Sequence, residues 1–357
     1  MDRRRISNCC RKSKGIGDSI DGHLDEIVNG IKEDLDNIFD CDIDIISIKK
    51  SYKMEKRSIS DGLMEILKKD YSKITQYVKV SPYLDMEMRG NCVMVYYRGG
   101  KILTIFEDKR MEGLAAKYYK DGDTKLLVPQ IDTIEDYFAK AMHVIDMYEA
   151  YEKSRLGEKE IQQRVVYENN LSVNACKTDY FVADIEWADN DTLGGRADII
   201  AFRWNHMEHK KRLLQLTIIE VKQGEESIVT SVDNNGKTSA GLSKHYDDFE
   251  KLRQDKDGVK TLAEDMLIVL KQKMELRLVK GLEKLFKDSR GNKKTPEILP
   301  EVDFLFLLSN YHHYSDNLKN ELEKLPDNAR FISSSFMGYG LYKDFIRSKK
   351  DLNLTKS

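Results

Sequence analysis

The chain is poor in proline and cysteine, with five of each in 357 residues. Charged residues make up 34% of it and hydrophobic residues 40%, a balance that excludes a proline-rich or low-complexity protein and fits a folded chain. The cysteines, Cys9, Cys10, Cys41, Cys92 and Cys176, form no Cys-x-x-Cys pair and are odd in number. That argues against a zinc knuckle or a disulfide framework, and for reduced thiols in a cytoplasmic protein. No segment approaches the roughly 18 uninterrupted apolar residues of a membrane helix, and the charged N-terminus has no signal-peptide core. There is no Gly-x-x-x-x-Gly-Lys-Ser/Thr phosphate loop and no internal repeat. A formal charge of −2 gives no global attraction to nucleic acid or to an anionic membrane, so any such contact must come from local patches. The basic runs, such as Arg3-Arg4-Arg5, Lys210-Lys211-Arg212 and Lys293-Lys294, read on their own as solvated faces.

What the chain does contain is an apolar strand that carries charge, Ile218-Ile219-Glu220-Val221-Lys222. Alternate residues of a strand share a face, so Glu220 and Lys222 emerge together while Ile219 and Val221 point the other way. A buried ion costs several kcal/mol unless it is paired or bound to metal. This strand is therefore the candidate active-site element.

Before it, residues 1–16 read as a flexible arm and 18–39 as an amphipathic helix, followed by a strand over 41–48. A helix through Leu63–Ile74 follows, then strands near 77–88, 91–98 and 101–107. The last two form a hairpin about Gly99-Gly100, and Lys125–Pro129 offers one more strand. This region, 1–132, is expected to be a small α+β domain with a recognition or regulatory role.

The second domain, 133–357, opens with a long helix that breaks at Gly157. A further helix, from Glu158 to about Asn169, turns Ile161, Val165 and Val166 inward and carries Glu160 on the adjoining surface. Strands are expected at 180–187, 197–202 and 213–222, helices from Leu242 to Leu252 and from Leu262 to Leu285, a buried strand at 302–308, a helix near 315–325 and a strand near 329–334. Asp198 and Glu220 lie 22 residues apart, a spacing that suits neighbouring antiparallel strands and lets their carboxylates converge.

In this order the residues resemble the PD-(D/E)XK nuclease superfamily, whose restriction-endonuclease-like fold has an αβββαβ core, over about residues 155–310. The fold class expected is thus α/β with a mixed sheet. Asp198 matches the superfamily's acid, Glu220-x-Lys222 its acid-x-lysine triplet, and Glu160 its helix glutamate, with Glu158 the nearest competitor. Ala197 stands where a proline is common. The resemblance implies a metal-dependent nuclease that hydrolyses phosphodiester bonds, with Mg²⁺ or Mn²⁺ held by Asp198, Glu220, the Val221 carbonyl and Glu160, and with Lys222 positioning or deprotonating the attacking water. Ser243, Lys244 and His245 in the next helix would touch the phosphate. DNA is the expected substrate ahead of RNA, in restriction, antiviral defence or repair, and a homodimer is the arrangement that would cut both strands.

Plainer readings remain beside these. Asp198, Glu220 and Lys222 could form only a buried ion pair, in a binding module that keeps the fold without catalysis, or the N-terminal domain could gate an effector nuclease. Asp184 and Glu186 share a strand face and either extend the acidic site or pair across strands. His206 with His209, and His312 with His313, read as surface histidines rather than metal ligands.

Overall fold

The computed structural model describes residues 56–120, 124–152, 157–189, 195–204, 212–232, 238–288, 290–312, 315–334 and 338–352. All belong to one unit, Lys53–Ser357, and the boundary expected at 132/133 falls inside it. The elements expected before residue 50, together with His206, His209 and His313, lie outside the described residues.

Two short helices, α1 (Asp61–Lys68) and α2 (Ser72–Val80), precede an antiparallel sheet of β1 (Leu84–Met88), β2 (Cys92–Tyr97), β3 (Gly100–Phe106) and β4 (Met111–Glu112). Two helices thus stand where one was expected through Leu63–Ile74. The Ser60 hydroxyl caps α1 by accepting the Leu63 N–H at 3.1 Å. The hairpin turn is Arg98-Gly99, one residue earlier than Gly99-Gly100, because Tyr97 pairs with Gly100. Both turn residues have positive φ, 46° and 78°, as a tight primed turn requires. Arg98 takes the position for which glycine is favoured, and its side chain is held by three acids described below. Lys125–Pro129 forms no strand: Leu127 is 87% exposed and Pro129 has no N–H to give to a ladder.

The larger part begins with α3 (Ile134–Glu152) and α4 (Gly157–Asn170). Next comes an antiparallel meander of β5 (Tyr180–Asp189), β6 (Gly195–Arg203) and β7 (Leu213–Gln223), then a small ribbon of β8 (Ser231–Val232) and β9 (Thr238–Ser239). Helices α5 (Leu242–Gln254), α6 (Lys256–Glu275) and α7 (Glu283–Phe286) lead to β10 (Glu297–Ile298) and β11 (Asp303–Ser309). The helix expected through Leu285 ends at Glu275, where Arg277 and Gly281 adopt positive φ and turn the chain. Finally α8 (Asp316–Lys324), β12 (Arg330–Ser334) and β13 (Arg347–Ser348) complete the order. The sheet runs β13-β12-β11-β7-β6-β5, with β10 beside the start of β7. β11 is parallel to both β7 and β12, so the sheet is mixed.

Both faces of this sheet are covered. Ile219, Val221, Leu305 and Leu307 pack with Ile161, Val165 and Val166 of α4. Ile218, Phe304, Phe306 and Leu308 pack with α5 and α6 in a cluster that continues into the small sheet through Met86, Val93, Val95 and Ile105. Each fully buried aliphatic side chain contributes roughly 1.5–3 kcal/mol, a reserve against which two charges on β7 can be tolerated. Among the described residues no helix is long and apolar enough to cross a membrane.

The small sheet also meets the large one through buried charge. Lys273 Nζ of α6 lies 2.6 Å from Glu87 of β1, while Arg89 donates to the Asp184 carboxylate and, at 2.9 Å, to the Ile185 carbonyl on β5. Arg57 Nε stands 3.4 Å from Asp184.

Candidate active site

The β6–β7 ladder runs from Arg203 opposite Gln215 to Ile199 opposite Ile219 and then stops. Beyond it the two strands fork. β6 stays paired with β5 down to Gly195, and β7 stays paired with β11 through Gln223. Asp198 is the first β6 residue past the last pair, and its Oδ2 accepts the backbone N–H of Val221 at 2.7 Å. A side chain thus satisfies a buried backbone donor that the ladder has left behind. The same contact brings Asp198 against the Glu220 carboxylate, as the spacing between the two had suggested.

Glu220 and Lys222 are 4% and 5% exposed, so their charges are inside the protein. Lys222 Nζ lies 2.9 Å from Glu220 Oε1, and His245 Nε2 of α5 lies 2.9 Å from the same oxygen. Burial acts to raise the Glu220 carboxyl, but the hydrogen bond from His245 and the Lys222 charge outweigh it and leave Glu220 below the usual carboxylate range. Asp198 goes the other way. Burial, and then the Glu220 charge, push it well above its ordinary value, against the opposing Val221 N–H and Lys222. Two coupled carboxylates whose environments drive them apart are a frequent property of functional sites.

Helix α5 delivers His245 because its start is fixed. A side chain at Gly241 would meet the backbone of Ile228, Val229 and Thr230 at 2.2–2.5 Å, so only glycine lets the helix approach that loop. Ser243 then donates its hydroxyl to buried Glu321 of α8 at 2.9 Å and contacts the Thr230 hydroxyl at 3.1 Å. Lys244 pairs with Asp248 one turn on. Of the three residues expected at the phosphate, Ser243 and Lys244 are thus committed elsewhere, and His245 reaches the site through Glu220.

The helix glutamate is also placed differently from the expectation. Glu160 Oε2 is held by Arg98 at 3.2–3.3 Å and its Oε1 by Arg164. Glu158 instead meets the end of β7, its Oε1 accepting the Gln223 N–H at 3.4 Å. Burial raises the Glu158 carboxyl, opposed first by Lys222, with Glu220 and His245 also acting on it. Helical phase accounts for the exchange: Glu158 lies three residues before Ile161 on the stripe that faces the sheet, whereas Glu160 lies beside it. Asp184 and Glu186 do not extend the site. A positive φ at Glu186 turns its side chain away, so that Asp184 pairs with Arg89 and Glu186 with Lys159 and Gln162. His312 is an exposed residue whose N–H donates to Glu225.

Asp198 Oδ1 and Glu220 Oε2 carry no hydrogen bond among the described residues, and both belong to the coupled acid pair. Carboxylate oxygens of this kind are the ligands that Mg²⁺ and Mn²⁺ prefer, completed by water and phosphate. No group of three or more His, Cys, Asp or Glu side chains is gathered around one metal position among the described residues. At the carboxyl ends of β7, β11 and β12 opens a cleft of about 730 Å³ bordered by Gln223, Ser309, Ser334, Arg98, Arg164 and Tyr339; it meets β7 at Gln223, and Asp198, Glu220 and Lys222 do not line it. No family model, curated protein or solved structure matches the chain.

Proposed function

We propose that the chain is a metal-dependent nuclease that hydrolyses phosphodiester bonds, with DNA as its first substrate, and that its helix, three-strand meander, helices and parallel strand form a restriction-endonuclease-like core. The observation that carries this reading is the fork between β6 and β7, where Asp198, Glu220 and Lys222 converge. A purely structural ion pair would need only Lys222 and Glu220. Asp198 adds a second acid that the one lysine cannot neutralise, at an oxygen pair left free of hydrogen bonds.

Asp198 and Glu220 would hold the divalent cation. The bound ion supplies neutralisation of the non-bridging phosphate oxygens and a more acidic water. His245 fixes the Glu220 carboxylate and keeps it ionised. Lys222, oriented by Glu220, donates to the attacking water or to the developing charge on phosphate. Glu158 steadies the end of β7 through Gln223 N–H and adds an acid at the rim, the position for which Glu160 was the first choice from sequence.

The test is a cleavage screen over duplex DNA, single-stranded DNA and RNA with Mg²⁺, Mn²⁺ or chelator. Cleavage that needs the ion and disappears in Lys222→Ala is expected. Cleavage that persists in Lys222→Ala or Asp198→Ala would discard the assignment.

A further inference from the structure

A total charge of −2 leaves any contact with a polyanion to local patches, and the fold gathers one. Between residues 271 and 294 eight exposed lysines and arginines stand against three acids, Glu275, Glu283 and Asp288, a local surplus of five positive charges. Lys271 of α6 and Lys287, Lys293 and Lys294 beyond α7 border one hollow of about 490 Å³. Among the described residues none of these four lysines forms an ion pair. The one acid on the same border, Glu275, is already held by Lys68 at 2.8 Å. Lys293-Lys294 alone reads as a solvated face, but here the chain brings a second element's lysine to the same place.

The loop that carries three of these lysines is a small fixed hairpin. The Lys294 N–H donates to the Phe286 carbonyl at 2.8 Å, and Lys287 and Lys293 pair as an antiparallel bridge. At its tip Gly291 has a φ of 81°, and the Asp288 carboxylate accepts the Arg290 and Asn292 N–H groups at 2.9 Å each and the Asn292 side-chain N–H at 3.0 Å. Asp288 is thus occupied in shaping the turn. Lys287 and Lys293 stand directly opposite one another, and like charges so placed destabilise the strand pair. An acid at either position would stabilise the hairpin, whereas two lysines leave a repulsion that a bound anion relieves.

The patch lies at the far end of β7 from the fork. Thr295 on its border is two residues before β10, which pairs with Leu213 and Leu214, and Glu220 follows Leu213 by seven residues. Roughly 23 Å of strand therefore separates hollow and fork, the rise of about seven base pairs. Helix α6, which carries Lys271, and helix α5, which carries His245 to Glu220, cover the same face of the sheet.

We propose that this lysine-bordered hollow is a second contact for duplex DNA, seating the phosphate backbone about seven base pairs from the strand end where Asp198, Glu220 and Lys222 meet. A concave site fits the ridge of a duplex backbone and not a flat bilayer. The single aromatic residue on its border, Phe286, is only 7% exposed, so the patch has no platform for the stacking on which single-strand binding relies. The proposal rests on the nuclease reading for the duplex to be a substrate, but its binding test does not depend on cleavage.

The experiment measures anisotropy of labelled duplex DNA of about 24 base pairs, and of one of its strands alone, in chelator over a range of salt. It adds flotation with vesicles containing phosphatidylserine, and cleavage of the same duplex in Mg²⁺ and Mn²⁺. Lys287→Gln with Lys293→Gln is compared with Lys177→Gln and Lys319→Gln, which remove the same charge from exposed lysines elsewhere. Each phosphate contact carries about 0.9 of salt slope and up to about 8-fold in affinity at 0.1 M salt. The hairpin variant should therefore lower the slope for duplex by about 2 and weaken binding about 10- to 60-fold at 0.1 M salt, while the other pair changes neither. Its Tm without DNA should not fall, because the substitution removes a repulsion.

An equal loss in both double variants, or none in the hairpin variant, overturns the contact, and the nuclease reading then stands if Lys222-dependent cleavage is seen. Duplex that binds in this variant-sensitive way yet is cut with neither ion keeps the contact and overturns the nuclease reading. A single strand that binds more tightly than duplex and responds equally to the hairpin variant overturns the duplex assignment. Vesicle binding that depends on Lys287 and Lys293, with duplex binding indifferent to them, gives the patch to a membrane surface and overturns the proposal.

Discussion

Asp198 and Val221 are joined across the fork of β6 and β7, the Asp198 carboxylate accepting the Val221 N–H at 2.7 Å just past the last ladder pair. The bond holds the acid in a place where burial and Glu220 both resist its ionisation. A carboxyl raised in the folded state binds its proton more tightly there than in the unfolded chain, whose aspartate value is about 3.9. Ionisation therefore lowers stability increasingly as pH rises above that value, up to the folded-state pKa. Asp198→Asn keeps an acceptor for Val221 and removes the charge. It should abolish cleavage and raise Tm at pH 7, by roughly 2–4 °C for each kcal/mol recovered. Near pH 4 the gain should shrink towards zero. Calorimetry at the two pH values checks this, and a gain of the same size at both would discard the electrostatic account.

Glu158 and Glu160 are two residues apart on α4 and should respond oppositely. Glu158→Gln removes an acid next to Lys222 and Gln223, and should lower the cleavage rate about 100-fold, the low end for a positioned acid–base group. Glu160→Gln should leave kcat unchanged. By freeing Arg98 and Arg164 from their shared counter-ion, it should lower KM for nucleic acid, most visibly at low salt. Steady-state kinetics on both variants decide the matter, and a kcat loss confined to Glu160→Gln would restore the first choice made from sequence.

The strand pattern was legible because β7 is a largely apolar run, as a strand buried on both faces requires, and because 22 residues between Asp198 and Glu220 suit an antiparallel neighbour. Which helix glutamate meets the end of β7 could have been read from the phase of Ile161 and Val165, yet Glu160 was the one chosen from sequence, and Glu158 is the one that meets Gln223. The hairpin tip slipped by a residue because Arg98 accepts a positive φ that glycine would adopt more easily, and the reason lies in Asp146, Glu149 and Glu160, all on other elements. The bridge between the two sheets was not legible. Glu87 meets Lys273 across 186 residues and Arg89 meets Asp184 across 95, and no local pattern encodes such a pairing.

His245 supports Glu220 from α5, and its hydrogen bond to a buried carboxylate is of the charge-assisted kind. Losing such a bond costs about 1.5–3 kcal/mol. His245→Ala should therefore reduce cleavage about 10- to 100-fold at saturating Mg²⁺, and His245→Gln, which can still donate to Glu220, should recover part of it. Unchanged activity in His245→Ala would mean that Lys222 alone fixes the acid.

Glu87 and Lys273 form a buried pair at 2.6 Å, with side chains essentially inaccessible to solvent. Removing one member leaves the other charge uncompensated, at about 3–5 kcal/mol, whereas replacing both by apolar side chains of similar volume is often neutral or stabilising. Lys273→Met alone should lower the denaturant midpoint sharply, and Glu87→Leu with Lys273→Met should restore most of it. The pair lies between β1 and α6, so the double variant tests whether these two elements are held by charge or by the apolar cluster that runs beneath them. If the single and double variants lose the same stability, the ion pair is the principal attachment. If the double variant recovers, apolar packing carries the attachment and the charges serve to set its register.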